Sequence, residues 1–344
     1  MNRLFILGLV VLIMASCGEQ KTSETNETSE LNLYTHRHYD TDKEIFKAFE
    51  EKTGITVNVI KASADELIQK MEEEGNQSPA DVLITVDAGR LVRANQKGLL
   101  QPVESQILEN TVPANLRAED NTWFALTKRA RVIVYDKDKV KPADLSTYEA
   151  LTDKKWNGKL LIRSSSNIYN QSLMASIIAN NGEEAAKKWA EGIVANLGRD
   201  PQGNDRDQVK GIVAGDGQIA VVNTYYLGKL LNSEDAAEVK AGNAVKVFFP
   251  NQENRGTHIN VSGAGVAKYA PNKENAIKFL EYLVSKDVQG KFSSANYEYP
   301  VNAAASISEL LQSWGEFKED KLPLSKLGEL NKDAVKTFDA ASWK

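Results

Sequence analysis

A strand followed by a helix recurs from Leu31 onward, and this alternation limits the folds open to the chain more than any other feature. Leu31-Asn32-Leu33-Tyr34-Thr35 alternates as a strand does, and Asp40-Thr41-Asp42-Lys43-Glu44 supplies helix-start residues. Ile45, Phe46 and Phe49 then follow at helical spacing until Gly54 stops the run. Ile55 to Ile60 reads as a second strand, with Ser63 or Asp65 capping a helix through Leu67, Ile68 and Met71. Asp81 to Val86 is a third strand, entering a helix with Leu91 and Val92. Strands alternating with helices build a parallel sheet covered on both faces, so this is a first α/β lobe.

The continuous run Arg131-Val132-Ile133-Val134-Tyr135 is long enough to cross into a second lobe. There Lys159 to Arg163 reads as a strand, followed by helices around Leu173 to Ile178, Ala185 to Val194 and Gln208 to Ala214. Val245 to Phe249 and Gly263 to Lys268 are later strands, and Glu274 to Lys291 reads as one amphipathic helix on the outside. Two linked α/β lobes are the expected architecture. Residues 31–129 and 255–303 make the first and 130–254 and 304–344 the second, with hinge strands between them.

The start of the chain speaks to compartment. Met1-Asn2-Arg3 is a short basic segment, and the apolar run from Leu4 to Met14 is too short to span a bilayer as a stable helix, so residues 1–16 read as an export signal. The run ends in Met14-Ala15-Ser16-Cys17, and Cys17 is the only cysteine. This resembles the lipobox of bacterial lipoproteins, which implies a lipid on Cys17 as a membrane anchor. Residues 17–30 are then a flexible tether, since no apolar residue lies between Gly18 and Glu30. The expectation is an extracytoplasmic lipoprotein, in a periplasm or at a cell surface. The net charge of −5 and the absence of a basic stripe argue against a nucleic-acid partner.

Chemistry concentrates where strands feed helices. Ile219-Ala220-Val221-Val222 is a continuous apolar run, and Leu227, Leu230 and Leu231 resume helical spacing, which puts Tyr225 and Tyr226 on a short turn at the mouth of a sheet. Comparable turns carry Thr35-His36-Arg37-His38-Tyr39 and Ser165-Ser166-Asn167-Ile168-Tyr169. Several phenols ionise together only beside a strong Lewis acid, because a free phenol has a pKa of about 10. A hard, highly charged cation meets that demand, and Fe3+ fits better than Zn2+ or Cu+. His36 and His258 have no matching phenol beside them and read as surface or capping histidines. A sugar-stacking platform would add tryptophan, and no tryptophan stands next to these turns.

The chain resembles the bacterial ferric-iron-binding proteins, the substrate-binding components of iron(III) ABC transporters and a branch of the type II periplasmic binding proteins. The residues that carry the resemblance are Leu33 to Tyr39, Ser78-Pro79-Ala80-Asp81-Val82, Asp87-Ala88-Gly89-Arg90-Leu91, Arg129 to Tyr135, Trp156-Asn157-Gly158-Lys159 and, most specifically, Asn223-Thr224-Tyr225-Tyr226-Leu227-Gly228. It implies a venus-flytrap fold whose lobes close on Fe3+, with ligands His38 and Tyr39 from the first lobe and Tyr169, Tyr225 and Tyr226 from the second. Arg129 matches an arginine that faces the metal, where it binds a synergistic anion such as carbonate or stabilises the phenolates. Where a related subgroup has a glutamate ligand after Thr85, this chain has Val86. The resemblance further implies a monomer that passes its cargo to the permease and ATPase of an ABC transporter.

Two other readings compete. A binding protein of the same fold for an anion or organic cation, such as phosphonate, thiamine or a polyamine, would use the tyrosines as cage walls and Arg129 as an anion clamp. A lipoprotein hydrolase would need a nucleophile elbow, and neither Gly-x-Ser-x-Gly nor a cysteine nucleophile is present, so no enzyme is expected.

Overall fold

The computed structural model describes residues 29–37 and 39–344. The expected export signal, Cys17 and His38 lie outside the described residues. Along the chain come β1 (Glu30–Thr35), α1 (Asp40–Thr53), β2 (Thr56–Lys61), α2 (Ala64–Glu74), β3 (Val82–Val86), α3 (Ala88–Gln96), β4 (Leu100–Gln101) and α4 (Gln106–Thr111). Strand β1 lies between β2 and β3 and runs parallel to both. Gly54 closes α1 in the left-handed conformation, with φ 72°, and Ser63 opens α2 through a reciprocal capping box with Glu66. Of the two expected caps, Ser63 holds the position. Strand β1 begins at Glu30, the last residue of the expected tether.

Next is β5 (Phe124–Asp136), the strand that organises the molecule. It is followed by β6 (Leu160–Leu161), α5 (Ile168–Asn181), α6 (Glu183–Ala195), α7 (Asp205–Ala214), β7 (Ile219–Asn223), α8 (Thr224–Leu231), α9 (Ala236–Asn243), β8 (Val245–Phe248) and β9 (Ile259–Ala267). The chain ends with α10 (Lys273–Leu283), α11 (Lys286–Asn296), β10 (Tyr299–Pro300), α12 (Glu309–Ser313), α13 (Ser325–Glu329) and α14 (Asn331–Ala340). The first half of β5, through Ala130, pairs antiparallel with β9, and β9 pairs in turn with β3. From Arg131 onward β5 pairs instead with β7 and β8. One strand thus belongs to both sheets, in the order β2-β1-β3-β9-β5-β7-β6. The result is a two-lobed α/β fold, a mixed sheet covered by helices with β5 shared between its two parts.

Three elements differ from expectation. The strand expected over Lys159 to Arg163 pairs only at Leu160 and Leu161, because the Asn170 side chain takes up the carbonyls of Arg163 and Ser164. Strand β9 begins at Ile259, four residues before the expected Gly263. The single helix expected over Glu274 to Lys291 is two, α10 and α11. Side chains capture the carbonyls at the break: Gln289 donates to Leu283 O at 2.8 Å, Asn302 to Val284 O at 2.9 Å and Ser285 to Tyr282 O at 2.6 Å. Nor is α10 merely an outer helix, since its Ala276, Phe279, Leu280 and Leu283 are buried in the core. Among the described residues no helix is long and apolar enough to cross a membrane.

Candidate metal site

All four candidate phenols sit in the opening turn of a helix that follows a strand. Tyr39 is the N-cap residue of α1, Tyr169 the second residue of α5, and Tyr225 and Tyr226 the second and third residues of α8. The N-terminal end of a helix carries partial positive charge and unsatisfied N–H groups, so it favours an oxygen that becomes anionic. The turn expected between strand and helix at Tyr225 does not exist: β7 ends at Asn223 and α8 starts at Thr224. The two adjacent phenols converge from the first helical turn itself, their rings stacked 4.3 Å apart at 30°.

The hydroxyl of Tyr225 donates to that of Tyr169 at 3.3 Å. Burial raises the Tyr225 phenol well above its ordinary value, and neighbouring Tyr169, Tyr39 and Tyr226 raise it further. Tyr226 is pushed up to about 12, by burial first and then by Tyr169 and Asp205. Tyr39 is raised as well, by burial and then by Glu298, with Arg37 and Arg129 working the other way. Left alone, these phenols stay protonated at neutral pH. An arriving cation must displace their protons, and only a strong Lewis acid does so.

Cations ring the cluster. Arg129 and Arg163 lie over the Tyr169 ring at 5.5 and 5.7 Å. Arg129 is 1 % exposed and donates through Nη1 to Ser262 Oγ at 3.3 Å, while its Nε and Nη2 have no hydrogen-bond partner among the described residues. A buried guanidinium with two unused donors beside phenols is suited to phenolate oxygens or a small anion. Arg37 lies 4.9 Å from the Tyr39 ring centroid and is ion-paired to Asp42 at 3.0 Å and Glu298 at 3.1 Å. Lys229, one turn beyond the tyrosine pair, places its ammonium 3.8 Å from the Tyr39 ring centroid. Four phenolates and one Fe3+ would leave a single net negative charge, which this ring of cations offsets.

Tyr39, Tyr169, Tyr225, Tyr226 and Arg129 therefore share one neighbourhood. Sequence reading missed Arg163, Lys229, Arg37 and Glu298. Lys229 falls one turn after Tyr225 in the helical pattern, and Arg163 ends the apolar run before the Tyr169 turn, which were the only available signals. Arg131 belongs to the crossing strand, as expected, and pairs with Asp205 at 2.7 Å. Val86 is buried at the end of β3 and offers no donor. His258 is not the surface or capping histidine expected: it is buried in the interior, its pKa driven down to about 3 by burial and then by Arg131, Arg255 and Arg129. Among the described residues no group of three or more His, Cys, Asp or Glu is placed to hold a metal, so phenol oxygen is the donor chemistry this cluster offers.

Comparison with known proteins points the same way. Residues 44–319 match the bacterial extracellular solute-binding protein family. The iron uptake protein A1 of Synechocystis sp. is 51 % identical over 336 residues, covering 96 % of this chain and 93 % of that protein. A Trichodesmium protein in complex with iron and citrate superimposes with a TM-score of 0.90 at 52 % identity, over 92 % of this chain and 100 % of the other. The ferric binding protein from Campylobacter jejuni gives a TM-score of 0.86 at 45 % identity, over 91 % and 100 %.

Proposed function

Since the chain belongs to the bacterial extracellular solute-binding proteins, which bind and hand over solutes rather than catalyse reactions, we propose that it captures Fe3+ in the cleft between its lobes and delivers it to an ABC permease. The observation that carries this reading is the gathering of Tyr39, Tyr169, Tyr225 and Tyr226, all at helix N-termini, around the half-satisfied guanidinium of Arg129. His38, next to Tyr39 in sequence, completes the ligand set. The names borne by its relatives, iron uptake and ferric binding, support the same cargo.

The lobes are residues 31–129 with 255–303 and residues 130–254 with 304–344, meeting where β5 passes from one sheet to the other. Neither lobe alone supplies a full ligand shell, so metal binding and closure are one event. Arg129 and Arg163 stabilise the phenolates, and Arg129 has donors to spare for a synergistic carbonate. Protonation of phenolates, or reduction to the softer Fe2+, releases the cargo. The exported chain is held at the membrane by lipid on Cys17 and works as a monomer.

The test is the visible spectrum after addition of ferric citrate. Phenolate-to-iron charge transfer gives a broad visible band in the wild type, and Tyr225→Phe with Tyr226→Phe abolishes it while the fold persists. A well-folded wild type with no band would sink the ferric reading and favour the organic or anionic solute.

A further inference from the structure

We propose that Ser172 is a positioning residue for the metal site: its hydroxyl, on the second lobe, latches onto the carboxylate of Asp87 on the first, and this bond slows release of the cargo. The inference rests on the ferric reading of the cleft. Asp87 follows β3 in the first sheet, whereas Ser172 lies in α5, behind β6 of the second. Ser172 Oγ is 2.9 and 2.8 Å from the two carboxylate oxygens, and both residues are fully buried.

Asp87 is braced entirely from its own side. Its Oδ1 accepts from Gly89 N at 2.9 Å and its Oδ2 from Asn260 Nδ2 at 2.7 Å, while its own N–H donates to Val261 O at 2.8 Å. Asn260 and Val261 belong to β9, the strand that re-enters the first sheet from the second lobe. This bracing holds Asp87 at φ 88°, a conformation that non-glycine residues rarely adopt. The carboxylate is therefore fixed before the other lobe arrives, and among the described residues Ser172 is the one donor that crosses to it. A hydroxyl bonded to a buried carboxylate contributes more than one bonded to a neutral acceptor, because burial penalises an undersolvated charge.

The placement of Ser172 links this bond to the metal. It lies three residues past Tyr169 on α5, so the helix that carries a phenol into the cleft is the helix pinned by Asp87. When the lobes part, Asp87 keeps Gly89 and Asn260 but loses Ser172. Ser176, one turn further along α5, is equally buried, and its hydroxyl has no hydrogen-bond partner among the described residues. It serves as the internal control, the same change on the same helix without the latch.

The experiment loads the full chain with ferric citrate and follows decay of the phenolate band into excess EDTA for wild type, Ser172→Ala and Ser176→Ala. The thermal midpoint of each is read with and without metal. Ser172→Ala is expected to release iron about tenfold faster, as loss of a hydrogen bond to a charged group implies, with an unchanged midpoint in the metal-free form. Ser176→Ala should behave as wild type. Release from Ser172→Ala at the wild-type rate would overturn the latch. So would equal acceleration in both variants, or an equal fall of the Ser172→Ala midpoint with and without metal. A wild type lacking the band would overturn the ferric reading, and the latch with it.

Discussion

At the scale of single residues the phenols set the pH behaviour. Tyr226 titrates at about 12 in the folded chain, above the ordinary value of 10.0, because burial penalises the phenolate. The folded form then holds a proton that the unfolded form has already lost, so this contribution to stability is complete below pH 10 and declines as pH rises toward 12. The metal-free protein should accordingly lose thermal stability across that window. If these phenols ligate iron as proposed, they are already ionised in the loaded protein, which should lose less, and midpoints measured at a series of alkaline pH values would check the difference. The same protons oppose binding at acid pH, since each must leave as the cation enters. These phenols were legible in the sequence because they stand side by side or at matching turns. Arg163 and Lys229 were not, because which side of a ring a long cationic chain covers depends on how helix and strand are set against each other.

Helix starts matter most at the scale of elements. Asn167 caps α5, accepting from Tyr169 N at 3.1 Å, so the cap and the candidate ligand are one local unit. Asn167→Ala should cost about 1 kcal/mol of stability, as loss of an N-cap does, and should weaken iron binding as well because Tyr169 loses its fixed backbone. A chemical denaturation curve paired with a ferric citrate titration separates the two effects, and unchanged binding beside lowered stability would remove Tyr169 from the ligand set. Capping residues and hydrophobic periods made most helices and strands readable in advance, including β1, β2, β3 and the three helices, α1, α5 and α8, that open with the candidate phenols. What could not be read were features set by distant side chains. The break between α10 and α11 depends on Gln289 and Asn302 taking carbonyls that a continuous helix would have used. The length of β6 depends on Asn170 in the same way.

Closure belongs to the whole molecule, and it should be possible to block it without touching a ligand. Gly228 lies on α8, two residues after Tyr226, and faces Tyr297 at the end of α11, which falls in the other of the two proposed lobes. A Cβ at Gly228 would come within 2.5 Å of the Tyr297 Cβ, and Tyr297 is itself held at φ 58°, so it has little freedom to retreat. Lysine at the next position, Lys229, reaches across the same seam to Tyr39. Gly228→Val should therefore wedge the lobes apart at the metal site. The clash is confined to the seam between α8 and α11, so the metal-free fold should survive, whereas ligands from the two sides of the seam no longer meet. Overpacking of this kind costs roughly 1–3 kcal/mol, and if that penalty falls on the closed state alone, ferric affinity drops by about 5- to 150-fold. Small-angle scattering should show the variant remaining extended after addition of ferric citrate, and the metal-free thermal midpoint should stay near that of the wild type. A variant that still compacts and binds at wild-type strength would mean that the seam between α8 and α11 can rearrange, and closure would then have to depend on contacts elsewhere in the cleft.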